Sequence, residues 1–188
     1  MTARPLAIAA LALTALVLSG CADSSPDTAP ESTSTISPAH QGDDVVVGPG
    51  ASEDCAGVAV IVDAGDLDAA DDPSTEACLP VDAPIIAADA LAQAGVTTEG
   101  TDDYGDQVVC RVNGAPAETD TIVADDGTEY HETCSTMPAA FAYWAVWVRP
   151  ADGEWAYAQE GLATQQLAPG DRLGLFFTLN GEPAQPAS

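Results

Sequence analysis

Residues 141–159, FAYWAVWVRPADGEWAYAQ, constrain the fold more tightly than any other part of the chain. They carry all three Trp and two of the four Tyr in a sequence with only 5% aromatic residues. Aromatic and β-branched residues prefer strands, and Pro150-Ala151-Asp152-Gly153 is turn chemistry, so the stretch reads as a hairpin. Side chains alternate across a strand, placing Ala142, Trp144, Val146 and Val148 on one face and Phe141, Tyr143, Ala145 and Trp147 on the other. One face must join the main core. The second is either covered by a neighbouring segment or offered to a ligand or partner, and function turns on which.

The other elements can be read in order. GVAVIVD, residues 57–63, sets Val58, Val60 and Val62 on one side and predicts a strand. The acidic run DAGDLDAADD follows, then a short strand near residues 76–81, together forming an opening hairpin. Asp82 is an expected N-cap for a helix over residues 83–94, with Pro84 in its first turn and Gly95 as its stop. Ile86, Ala87, Ala90, Leu91 and Ala94 form the apolar stripe of that helix, and Ile85 falls off it. Residues 96–107 read as a polar loop and VVCRV, residues 108–112, as a strand ending at the turn Asn113-Gly114. Residues 115–138 form a long acidic excursion without clean periodicity. After the hairpin, Pro169-Gly170-Asp171 is a tight turn, and Leu173, Leu175, Phe177 and Leu179 share one face of a last core strand. A hairpin, one helix and further strands give an α+β domain: a mixed sheet of four to six strands with the helix packed across one face.

The start of the chain fixes the expected compartment. One Arg, an Ala/Leu-rich run over residues 6–18 and small residues before Cys21 read as a secretion signal, too short to be a membrane span. Leu18-Ser19-Gly20-Cys21 resembles the lipobox of bacterial lipoproteins, which implies a signal peptide over residues 1–20 and lipidation at Cys21. The protein is thereby expected on the outer face of the cell membrane, anchored by lipid. Residues 21–52, rich in Ser, Thr, Pro, Asp and Gly, read as a disordered tether spanning on the order of 30 Å. Residues 53–180 form the domain and residues 181–188 a flexible tail.

Cys55, Cys78, Cys110 and Cys134 remain once Cys21 carries lipid, and four Cys in an exported domain most often make two disulfides. Three pairings exist; Cys55 with Cys78 and Cys110 with Cys134 are favoured because each closes a modest local loop. Zinc is the rival, but no pair has the close spacing of structural zinc sites. Thirty Asp and Glu stand against four Arg and no Lys, for a formal charge of −26. Such a field argues against nucleic acid or anionic lipid as partners and suits solubility, cations or basic partners.

AADALAQAG, then a strand, then GEWAYAQEG, then LAPGDRLGLFF resembles the β-grasp-like domain that closes transcobalamin and intrinsic factor and recurs in bacterial surface proteins. The matching positions are Ala94 and Gly95, Trp155 and Tyr157, and Gly170 and Asp171. An actinobacterial secreted subgroup is more similar still, through Val109-Cys110-Arg111-Val112, Cys134 with Pro138, and Tyr143-Trp144-Ala145-Val146-Trp147. The resemblance spans residues 55–180 and implies a β-grasp-like fold linked to vitamin uptake. In transcobalamin-type proteins this domain helps enclose a corrinoid against a separate helical domain, for which this chain has no room, so full enclosure is not implied.

Several candidate sites follow. Tyr143, Trp147, Arg149 and Tyr157 are the expected ligand-binding residues, aromatics for stacking with an Arg as polar anchor. The alternative is that residues 115–138 cap this face as a second small core. Arg111, Arg149 and Arg172 are otherwise partners for carboxylates. The Asp63, Asp66, Asp68, Asp71 and Asp72 cluster lacks EF-hand spacing and reads as a solvated acidic turn, so no metal site is assigned. His131 with Glu129, Glu132 and Cys134 is the only cluster resembling catalytic chemistry, and Cys134 is better used in a disulfide. No hydrolase elbow, zinc helix or phosphate loop occurs. The expectation is a non-enzymatic binding module without a cofactor. Its ligand is either a vitamin-like small molecule, a corrinoid included, captured for an uptake system, or an envelope protein such as a transporter.

Overall fold

A computed structural model describes residues 45–181 of the chain. The expected signal peptide, the expected lipidation position Cys21, the part of the expected tether before residue 45 and residues 182–188 lie outside the described residues.

In chain order the elements are β1 (Val46–Val47), β2 (Val58–Asp63), β3 (Thr75–Leu79), β4 (Ile85–Ile86), α1 (Ala87–Gln93), β5 (Thr98–Thr101) and β6 (Gly105–Val112). They continue with β7 (Ile122–Val123), β8 (Glu129–Tyr130), β9 (Ala142–Arg149), β10 (Ala156–Tyr157), β11 (Gln166–Leu167) and β12 (Arg172–Leu179). Six strands form one mixed sheet in the order β1-β3-β2-β12-β9-β10. Its central pair, β2 with β12, is parallel, and the other pairs are antiparallel. The fold is α+β, with a single helix on a mixed sheet and disulfides Cys55–Cys78 and Cys110–Cys134. No helix among the described residues is long and apolar enough to cross a membrane.

The alternation of β2, β9 and β12 builds the core. Val58, Val60, Leu79, Leu173 and Leu175 are fully buried on the sheet face that also carries Trp144 and Phe177. Each such side chain contributes about 1.5–3 kcal/mol relative to exposure. Ala87, Ala90 and Leu91 of α1 close that face with their small apolar stripe.

The helix is shorter than the sequence predicts. Ile85 and Ile86 leave it to pair with β11, in the register Leu167↔Ile85 and Gln166↔Ile86. Ile86 takes the N-cap position with extended backbone and no side-chain cap, so Asp82 does not cap the helix. Carbonyls of a distant segment do the work instead: Ala87 N–H donates to Gln165 O at 2.8 Å and Ala88 N–H to Leu162 O at 3.0 Å. The other end follows expectation. Gly95, at φ 75, lets its own N–H reach Ala92 O while Val96 N–H reaches Leu91 O, satisfying the last carbonyls.

Two further differences concern loops. Residues 96–107 are not one loop, because Thr98–Thr101 pairs with Gly105–Val112 across a bulged register. The sheet also reaches into the span read as tether: Val46 and Val47 pair with Cys78 and Ala77, and Ser52 Oγ donates to Glu76 Oε2 at 2.8 Å. β1 has only two residues, and β5 only four in a register broken by bulges, so neither carries an alternation that the sequence could show.

Candidate functional site

The registers place Ile61, Gly174, Phe176, Ala145, Trp147 and Tyr143 together on the sheet face opposite the helix. Residues 115–138 do not cover this face. They pack on the core side, where Trp144 Nε1 donates to Ala115 O at 2.9 Å and Tyr130 meets Phe141 edge-on at 5.8 Å. Arg111 ties the excursion down, donating to Glu99 Oε2, Pro116 O and Glu132 O.

The outer face is instead roofed by its own hairpin. The Phe176 ring lies over Gly174, where a Cβ would run into it. Trp155 folds back onto Phe176 edge-on at 5.8 Å, and Tyr157 stacks on Trp147 with centroids 4.0 Å apart. Trp147 is consequently only 8% exposed. The indole N–H groups of Trp147 and Trp155 have no hydrogen-bond partner among the described residues. An unpaired buried donor costs about 1–3 kcal/mol, so the two indoles are a local cost of this aromatic layer.

Beside this layer, a cleft of about 530 Å³ opens along the edge of β9. Residues 143–146 line it together with residues 106–109 of β6, residues 137–140, residues 157–158 and residues 160–162. Trp144 and Val146 enter it from the core side of the sheet, Tyr143 and Ala145 from the outer side. Gly161 makes this shape possible, since a Cβ there would stand 3.3 Å from Gln107 Cα. Asp106 and Glu160 are its acids, and no Arg lines it. Burial, and then the adjacent Tyr143 hydroxyl, hold the Tyr157 phenol above its ordinary pKa. Tyr157 therefore stays a neutral donor at physiological pH.

Of the four expected ligand-binding residues, Tyr143 and Tyr157 line the cleft. Trp147 lies behind Tyr157, and Arg149 turns away, its Nε 3.4 Å from Gly153 O in the hairpin turn. Arg172 likewise donates to a backbone carbonyl, that of Glu53. The sequence reading missed Val108, Met137 and Pro138. Met137, apolar and 56% exposed in an acidic excursion, was the one available signal.

The cluster around His131 is used structurally. Cys134 is bonded to Cys110, and His131 Nδ1 lies 2.8 Å from Asp120 O. Glu132 accepts from Tyr130 Oη and from Cys134 N–H, both at 2.6 Å. Glu99 approaches the sulfurs of Cys110 and Cys134, but their disulfide removes the thiolates a metal would need. Asp63 and Asp72 cap Gly65 N–H and Ser74 N–H within the acidic turn. The chain matches no protein-family model, no curated protein and no solved structure.

Proposed function

We propose that the chain is a lipid-anchored binding module of the outer membrane face, and that it takes its ligand in the cleft along β9. The observation that carries this reading is the cleft itself. Its 530 Å³ lies within the range of about 300–1,000 Å³ typical of ligand sites, and two Tyr side chains stand at an otherwise largely apolar wall. The lipobox-like Cys21 and the resemblance to the domain that closes transcobalamin support a vitamin-like occupant, a corrinoid among them, passed on to an uptake system. Tyr143 and Tyr157 would stack against its flat face while Trp147, beneath Tyr157, reports occupancy. A second reading, docking of an envelope protein such as a transporter, is favoured by the unpaired edge of β9 in the cleft.

Tryptophan fluorescence of the secreted chain, with Cys21→Ser to keep it free of lipid, tests the first reading against a corrinoid panel. Saturable quenching weakened ~tenfold or more by Tyr143→Ala is the expected result, the loss of one stacking contact plus its hydrogen bond. Quenching that survives Tyr143→Ala unchanged would move the ligand away from the cleft.

A further inference from the structure

The backbone of β9 specifies the cleft's ligand more narrowly than its side chains do. Along a strand, successive residues direct their N–H and C=O groups to opposite edges. Phe141 O accepts from Asn180 N–H, so odd-numbered residues of β9 face β12. Val146 O accepts from Ala158 N–H, so even-numbered residues face β10. The β10 ladder covers only Trp147 and Val148. The N–H and C=O of Trp144 and the N–H of Val146 point to the same edge beyond it, and that edge has no partner strand among the described residues. The cleft is lined there by four consecutive β9 residues from both faces, so it opens onto the strand edge.

From this we infer that the cleft binds an extended segment of a partner protein as an added strand on β9, with Lys or Arg alternating with apolar residues. The inference rests on the cleft being the binding site, deepens the second reading, docking of an envelope protein, and replaces the small molecule of the first. Unpaired backbone groups on a strand edge are a template for pairing, and an extended peptide supplies a donor and an acceptor at the required spacing. Period-two alternation sends every second side chain toward Trp144, Val109 and Leu162, the apolar inner wall. The intervening side chains rise beside Tyr143 and Tyr157, where a cation meets aromatic rings. Asp106 and Glu160 add acids with no Arg to neutralise them on the walls. Charge also decides between partners. Outside residues 45–181 this chain has Arg4 as its single cation, and the whole chain carries −26, so neither its own ends nor a second copy offers a basic strand.

Nuclear magnetic resonance on the isotope-labelled Cys21→Ser chain tests the inference with three synthetic probes. These are acetyl-Val-Arg-Val-Arg-Val-amide, the same peptide N-methylated at alternate amides, and acetyl-Val-Glu-Val-Glu-Val-amide. The first should shift the Trp144 and Val146 amide resonances saturably and slow their exchange with solvent. N-methylation removes the donors that strand addition needs and should weaken binding ~tenfold or more. The Glu peptide should bind more weakly at low salt, and the gap should close at about 1 M NaCl, where screening acts within about 3 Å. Val146→Pro removes the donor on the protein side and should have the same effect as N-methylation; because the N-methyl probe leaves the protein intact, the test survives if that variant misfolds. Equal binding of the N-methylated peptide, or no shift at Trp144 and Val146, would overturn strand addition. Cyanocobalamin in parallel separates the two levels: shifts at Tyr143 and Tyr157 with it alone keep the cleft as a binding site and sink the strand, while silence with every probe sinks both.

Discussion

Tyr130 shows how one side chain fastens the acidic excursion to the core. Its hydroxyl donates to Glu132 Oε2 at 2.6 Å, and Glu132, only 3% exposed, also accepts from Cys134 N–H. Burial, followed by the hydrogen bond and charge of Glu132, pushes the Tyr130 phenol up to about 12. The sign follows from linkage. The fold favours the protonated phenol, so this contribution is complete below the unfolded value near 10 and is lost as pH rises from about 10 through 12. Urea midpoints should therefore fall across that window, and more steeply in the native chain than in Tyr130→Phe, which has no proton to lose. At neutral pH the same variant leaves Glu132 one donor short and should lose about 1–3 kcal/mol. Parallel pH profiles for the two chains would remove Tyr130 as the cause.

At the scale of elements, the start of α1 is held from a distance. Asp82 stands four residues before the Ile86 cap position, and the carbonyls of Leu162 and Gln165 take the first helical N–H groups. Asp82→Ala should change stability by less than about 0.5 kcal/mol, where loss of a true N-cap costs about 1 kcal/mol. Thermal unfolding checks this, and a loss near the larger figure would restore Asp82 to the cap. The same element marks what a sequence can reveal. Alternation in residues 57–63, 141–149 and 173–179 announced β2, β9 and β12, and Gly95 announced the helix end, because those signals are local. The β4–β11 pairing was illegible: it joins two residues to two others eighty positions away, and Ile85 showed only as a residue off the helical stripe. For the site, Tyr143 and Tyr157 were legible as aromatics on one face of a hairpin. The rest of the lining was not, because β6 and residues 137–140 come alongside β9 through tertiary packing, with no pattern of their own.

For the molecule as a whole, self-repulsion is the term that the fold must overcome. Thirty acids face four Arg, and among the described residues Arg111 with Glu99, at 2.7 Å, is the single ion pair. Two disulfides closing 23- and 24-residue separations offset part of that repulsion, each by about 3 kcal/mol through the unfolded chain. Charges of one sign more than about 10 Å apart are largely screened at 0.1 M salt, so added salt should relieve the folded state more than the expanded one. A gain of about 1 kcal/mol between low and near-molar NaCl would raise the melting temperature by about 4 °C. Calcium chloride at matched ionic strength distinguishes a diffuse field from a site. If the acids act only as a field, the two salts at high ionic strength should converge. A saturable rise at millimolar calcium, absent with sodium, would instead mean that some of these carboxylates, Asp63 to Asp72 foremost, gather around an ion. A melting temperature that falls with NaCl would show that the acids stabilise the fold through favourable pairing with Arg111, Arg149 and Arg172, and would overturn the repulsion account altogether.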